Sequence, residues 1–162
     1  MTKEELLKLV EDYISNEPKK NWRPGKDHVH YAGPYFDHKE IVRSVSTLLD
    51  GWLVLGSEAY KAEKKLATLF GKNHALLTNS GSSSNLLMMS ALKSKRLTDF
   101  PEGTKVLTPI AGFPTTVNPI FQCGFKPVFV DIDQDTLNAN IGQLISKINS
   151  KTKLIMMVHV LG

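Results

Sequence analysis

Asn79-Ser80-Gly81-Ser82-Ser83-Ser84-Asn85 is bounded by two apolar runs. Before it, His74-Ala75-Leu76-Leu77-Thr78 reads as a short buried strand; after it, Leu86-Leu87-Met88-Met89-Ser90-Ala91-Leu92 reads as a helix packed on several sides. A strand, a small-residue turn and a helix start in that order bring several backbone N–H groups to one point. The helix dipole adds partial positive charge there. Serine hydroxyls and an unobstructed glycine complete a cradle for a phosphate or another anion. Taken alone, the seven residues also suit an ordinary Ser-rich capping turn, because Ser is a preferred cap and Gly a preferred turn residue.

Downstream the pattern alternates. The spacing predicts a helix over 83–94, a strand at Lys105-Val106-Leu107-Thr108, and a turn through Pro109-Ile110-Ala111-Gly112-Phe113-Pro114. A helix over 115–122 follows and ends at Gly124. Pro127-Val128-Phe129-Val130 makes the next strand, closed by Asp131-Ile132-Asp133; a helix over 141–149 and a strand from Lys153 to Val160 complete the chain. Continuous apolar strands alternating with helices indicate an α/β fold, a mostly parallel sheet with helices on both faces. Loops leaving the carboxyl ends of such strands gather on one edge, where ligands bind. That edge is expected to hold Ser82, Ser83, Phe113 and Asp131. The sequence stops directly after a strand, which reads as a piece of a longer protein.

Upstream, Thr2 and Glu5 make a capping box for a helix over 2–16, with Leu6, Leu9, Val10, Tyr13 and Ile14 as its apolar stripe. Pro18 and Pro24 bracket a polar connector. His28 and His30 stand at alternate positions in an aromatic, extended stretch, without a third ligand at metal-binding spacing. Asp37 caps a second helix that stops at Asp50-Gly51. Ser57 is expected to cap a third, closed by Gly71 in the left-handed position. We divide the chain into an N-terminal helical and extended segment, 1–56, and an α/β unit, 57–162.

Composition restricts the rest. Charged residues make up 22% and hydrophobic residues 41%, as in a soluble globular chain, and the net charge is only +4. No block of like charge supports a nucleic-acid or membrane surface. One cysteine, Cys123, excludes an internal disulfide framework. No apolar run reaches the ~18 residues of a membrane span, and the charged N-terminus is unlike a signal peptide, so a cytoplasmic location is expected.

Three stretches together resemble one family. They are Thr78-Asn79-Ser80-Gly81-Ser82-Ser83-Ser84-Asn85-Leu86, Gly112-Phe113-Pro114-Thr115-Thr116-Val117-Asn118-Pro119-Ile120 and Pro127-Val128-Phe129-Val130-Asp131-Ile132-Asp133, with Asp50-Gly51-Trp52-Leu53 and Gly56 in support. They look like the N-terminal part of the DegT/StrS-type sugar-nucleotide aminotransferases and dehydrases, vitamin B6 enzymes of fold type I. The match runs over roughly residues 30–162, and such combined motifs are more specific than one turn. The segment Ala111 to Pro119 is most similar to the CDP-4-dehydro-6-deoxyglucose 3-dehydrase branch, which serves 3,6-dideoxyhexose synthesis for surface polysaccharide.

The resemblance implies that 57–162 is part of the cofactor-binding large domain, holding pyridoxal 5′-phosphate or pyridoxamine 5′-phosphate. Gly81, Ser82 and Ser83 match its phosphate-binding turn, Phe113 the aromatic stacked on the pyridine ring, and His159 a position near the cofactor edge. Tyr31, Gly33, Trp52 and Gly56 resemble a segment near the sugar-nucleotide substrate or the interface of a homodimer. Asp131 and Asp133 read as structural, and no residue of this chain is nominated as catalytic or as a metal ligand. In this family the Schiff-base lysine, or the histidine that replaces it in the dehydrases, lies beyond residue 162. So do the cysteines of the 2Fe-2S cluster that some dehydrases use with a reductase partner. The implied reaction is removal of the sugar C3 hydroxyl; a sugar aminotransferase and a non-enzymatic phosphate-binding α/β module are the competing readings.

Overall fold

The computed structural model describes residues 1–18, 21–30, 32–97 and 100–158, in two compact units, Met1–Ala75 and Leu76–Gly162. The third helix therefore groups with the first unit, beyond the boundary drawn at residue 56 from sequence.

The first unit holds α1 (Lys3–Asn16), α2 (His38–Leu49) and α3 (Ser57–Leu69). Thr2 and Glu5 close the predicted capping box on α1, and Asp37 and Glu40 close another on α2. Helices α1 and α2 pack on each other, and the His38 imidazole of α2 stands 3.6 Å from the Glu11 carboxylate of α1. Helix α3 departs from expectation at its start: the N-cap is Gly56, with no side-chain cap, and Ser57 is the first helical residue. The reason is steric. The Trp52 indole donates to the Leu55 carbonyl at 3.0 Å, and a Cβ on residue 56 would stand 2.7 Å from Trp52 Cδ1. At its end, Gly71 has φ +60°, while Gly71 N–H donates to Thr68 and Lys72 N–H to Ala67. This paired closure of the last carbonyls requires the left-handed residue that Gly71 supplies.

The second unit holds α4 (Gly81–Leu92), β1 (Lys105–Pro109), α5 (Pro114–Gln122), β2 (Lys126–Val130), α6 (Ile141–Lys147) and β3 (Thr152–Ile155). The three strands form one parallel sheet in the order β2-β1-β3. Alternation along β1 divides its side chains between two cores. Val106 packs with Met89 of α4, Ile120 of α5, Cys123, Phe125 and Met156; Leu107 packs with Val130, with Ala139 and with Leu144 of α6. Helices therefore cover both faces, as the sequence pattern indicates. The chain moves from β1 to β2 through α5, then back past β1 to β3 through α6 on the other face. Reversing both direction and face keeps the two crossovers of one hand.

Three expectations fail here. Residues 74–78 form no strand, and Leu76 is 74% exposed. A strand exists only where a second backbone lines up beside it, and the ladders of this sheet run only between β2, β1 and β3. Helix α4 was expected to be packed on several sides, yet Met89 is its one buried residue and Leu87 and Met88 stand half-exposed. The last strand is shorter than predicted: its ladder runs Thr152–Ile155, extended by a bond from Met156 N–H to the Leu107 carbonyl at 2.8 Å. Among the described residues no helix is long and apolar enough to cross a membrane.

Candidate functional site

The start of α4 is built from its own hydroxyls. Ser80, extended at φ −162° and ψ 160°, is the N-cap and accepts from the Ser83 N–H at 3.2 Å. Ser84 N–H donates to the Ser80 carbonyl at 3.0 Å. The Thr78 hydroxyl donates to that carbonyl at 2.9 Å and also meets the Ser84 hydroxyl. These bonds occupy the amides of Ser83 and Ser84. They leave the Gly81 and Ser82 N–H groups, first and second in the helix, without an acceptor among the described residues, as helix geometry dictates. A Cβ built on Gly81 meets nothing within 4 Å, so a side chain there would meet open space. Two outward N–H groups, flanking hydroxyls and the positive end of a twelve-residue helix suit a phosphate dianion.

A second helix start stands beside this one. Phe113 is the N-cap of α5, extended at φ −79° and ψ 140°, and its carbonyl accepts from Thr116 N–H at 2.9 Å. Pro114 follows at the first helical position, where its missing N–H costs nothing. The two starts are tied together by Asn85, whose amide donates to the Thr115 carbonyl at 3.1 Å. Asn85 lies one turn beyond Ser82 and Thr115 two residues beyond Phe113, so the bond holds the starts of α4 and α5 side by side. The Phe113 ring is 66% exposed, presenting a flat face rather than filling the core. Ser80, Thr78 and Asn85 were not singled out from sequence. The Ser80-to-Ser83 spacing could have identified the cap, but the Asn85 bond spans thirty positions and carries no local signal.

The Ile110 N–H donates to the Val130 carbonyl at 2.9 Å, joining the loops after β1 and β2 on the same edge of the sheet. Next to it, Asp131 donates its N–H to Gln143 Oε1 at 3.0 Å, and its carboxylate accepts from Ile132 N–H at 2.8 Å. Asp133 accepts from the Asn140 amide. Both carboxylates brace the turn into α6, the structural use read for them from sequence.

In the first unit Trp52 and Gly56 line one cavity of about 700 Å³ with Arg43, Thr47, Asp50 and Ser57. Arg43 reaches Glu58 at 3.2 Å, and Lys61 reaches the same carboxylate at 2.7 Å. These cations, Lys61 foremost, hold Glu58 below the usual carboxylate range. Gly33 is exposed and does not line this cavity. Tyr31 and His159 lie outside the described residues. Cys123 is buried, with its sulfur 3.6 Å from the Ser90 hydroxyl. Among the described residues no group of three or more His, Cys, Asp or Glu side chains stands ready for a metal ion.

Residues 35–162 match the DegT/DnrJ/EryC1/StrS aminotransferase family. The chain belongs to that family. It is 41% identical over 163 residues to the lipopolysaccharide biosynthesis protein RfbH of Salmonella typhimurium, covering 99% of this chain and 37% of the relative. It is 35% identical to the dTDP-4-dehydro-2,6-dideoxy-D-glucose 3-dehydratase of Saccharopolyspora spinosa, covering 99% of this chain and 35% of that protein. Among solved structures, a GDP-4-keto-6-deoxymannose-3-dehydratase with a trapped PLP-glutamate geminal diamine superposes with a TM-score of 0.74 at 31% identity, over 79% of this chain and 33% of that one. This family member thus has the fold of the corresponding part of the pyridoxal-phosphate fold type I dehydratases and aminotransferases. It spans little more than a third of the length of the curated relatives it matches.

Proposed function

We propose that this family member serves a vitamin B6-dependent sugar-nucleotide C3 dehydrase acting on a CDP-4-keto-6-deoxyhexose, in synthesis of 3,6-dideoxyhexoses for surface polysaccharide. The supporting observation is the union of two helix starts through the Asn85–Thr115 bond, one carrying the Gly81 and Ser82 amides and the other the exposed Phe113. The 3-dehydratases among its relatives and the motif Ala111 to Pro119 favour dehydration over amino transfer.

When bound, pyridoxamine phosphate supplies an amine for the 4-keto group and an electron sink for loss of the C3 hydroxyl. The residues here do the holding. Gly81 and Ser82 donate N–H groups to the phosphate, Ser83 adds a hydroxyl, and Phe113 keeps the ring plane fixed while leaving its electronics to other groups. Trp52 and Gly56 form a substrate wall. Gly33, Tyr31 and His159 keep the roles that the family resemblance implies. In this reading the protein is a cytoplasmic homodimer, and a reductase partner supplies the electrons that complete deoxygenation.

The cofactor part is tested by titrating the chain with pyridoxal and pyridoxamine phosphate and following their absorbance. Ser82→Ala with Ser83→Ala should weaken binding at least tenfold, while Ser82→Ala alone leaves stability within about 0.5 kcal/mol. Equal affinity in both proteins would remove the cradle from the argument. The reaction is tested on the intact protein by product analysis: a 3-deoxy sugar supports the dehydrase, and a 4-amino sugar replaces it with the transaminase.

A further inference from the structure

Residues 21–30 precede the stretch shared across the family, which begins at residue 35, yet RfbH and the Saccharopolyspora spinosa dehydratase match over 99% of the chain. These ten residues enclose a cavity of about 620 Å³ lined by Asn21, Trp22, Arg23, Asp27, His28 and His30. That volume lies in the range of small-molecule sites. We propose that this cavity binds the nucleobase of the nucleotide sugar, an inference that rests on the nucleotide-sugar reading above.

Its walls are set before any ligand arrives. The Trp22 indole N–H donates to the His28 carbonyl at 3.3 Å. Arg23 grips Asp27 with a fork, Nε to Oδ2 at 3.0 Å and Nη2 to Oδ1 at 2.8 Å, and its backbone N–H reaches the same Oδ2 at 2.7 Å. The N–H groups of Lys26 and Asp27 both donate to the Arg23 carbonyl, closing the turn. His28 and His30 meet edge to face, their centroids 5.2 Å apart.

The chemistry selects the ligand class. Arg23 and Asp27 satisfy and neutralise each other, so the described residues that line the cavity present no unpaired Lys or Arg to a phosphate. The indole is 54% exposed, so it is not serving the core, and its N–H is already engaged, which leaves its faces for stacking. Base stacking on an aromatic face tolerates any heterocycle. The Asn21 amide offers both a donor and an acceptor, the pattern found along a base edge. An uncharged, flat heterocycle with an amide-like edge meets all three conditions.

The test uses indole fluorescence. Trp22 and Trp52 are the two tryptophans, so Trp52→Phe makes Trp22 the sole reporter. Cytidine, uridine, thymidine and guanosine monophosphates are titrated into this variant, with ribose 5-phosphate as the base-free control and calorimetry on the unmodified chain as a check. Saturable quenching by at least one nucleotide, none by ribose 5-phosphate, and a tenfold or greater rise in Kd in His28→Ala with His30→Ala are expected. Asn21→Ala, read by calorimetry, stands in if the double variant loses its circular dichroism spectrum. No saturable quenching at millimolar nucleotide, equal binding of ribose 5-phosphate, or unchanged affinity in the variants overturns the proposal. If pyridoxal phosphate still binds by absorbance in that case, only the base pocket falls; if neither binds, the wider reading falls with it.

Discussion

Thr108 is fully enclosed on the central strand, and its hydroxyl has no hydrogen-bond partner among the described residues. Isolating such a group from water costs about 1–3 kcal/mol, so a same-shaped apolar residue removes a penalty rather than a contact. Thr108→Val should therefore raise stability by about 1 kcal/mol in urea unfolding, against the usual direction of core substitutions. Asp27 makes a different residue-scale case. The Arg23 side chain, and then the Arg23 backbone N–H, hold its carboxyl below the ordinary aspartate range, and Asp27 in turn raises the Arg23 guanidinium. A depressed folded-state value means stabilisation that is present above the unfolded-state value and lost as pH falls through the folded one. Amide protection factors in 21–30, corrected for the intrinsic pH dependence of exchange, should fall as pH drops below about 4, near the unperturbed aspartate value. Asp27→Asn should abolish that dependence; an unchanged profile would separate the loop from this pair.

Helix α4 shows how an element can be apolar all round and still bury little. Met89 is 1% exposed against Val106 and Ile120, whereas Leu87, two residues earlier, is 48% exposed. Met89→Ala removes packed atoms and leaves a cavity, a loss of about 2–5 kcal/mol. Leu87→Ala removes surface that water already reaches and, with Ala the better helix former, should cost under about 0.5 kcal/mol. Equal losses, measured by thermal unfolding, would mean that α4 is covered on its second face in solution. The helix starts carry the opposite lesson. Glycine at 56 and serine at 80 both serve as N-caps, but one is chosen by an indole packed against it and the other by its own hydroxyl.

At the scale of the molecule, apolar side chains on both units face water. Leu53, Val54 and Leu55 in the first unit, and Leu86, Leu87 and Met88 in the second, are all exposed beyond a third. Contiguous apolar surface of this kind marks places where other protein is normally seated. The 162-residue chain should bind an anilinonaphthalene sulfonate dye strongly while retaining its far-UV circular dichroism. Weak dye fluorescence from the 162-residue chain would show that these side chains find cover within it.

What the sequence determined by itself is local and periodic. Both capping boxes, the left-handed closure at Gly71, the end of α5 at Gly124 and the alternation of Val106 and Leu107 between two cores depend on neighbours within a few positions. The Ser-rich turn was likewise legible, because helix starts and anion cradles use few residue types, whereas Phe113 was singled out by the family resemblance alone. Tertiary structure decided what depends on partners remote in the chain. It denied a strand to 74–78, left α4 open on one side and moved the cap of α3 from Ser57 to Gly56. It also joined the two helix starts through Asn85 and Thr115. A backbone ladder or a buried face needs a second surface, and no run of residues specifies by its own pattern which surface will arrive.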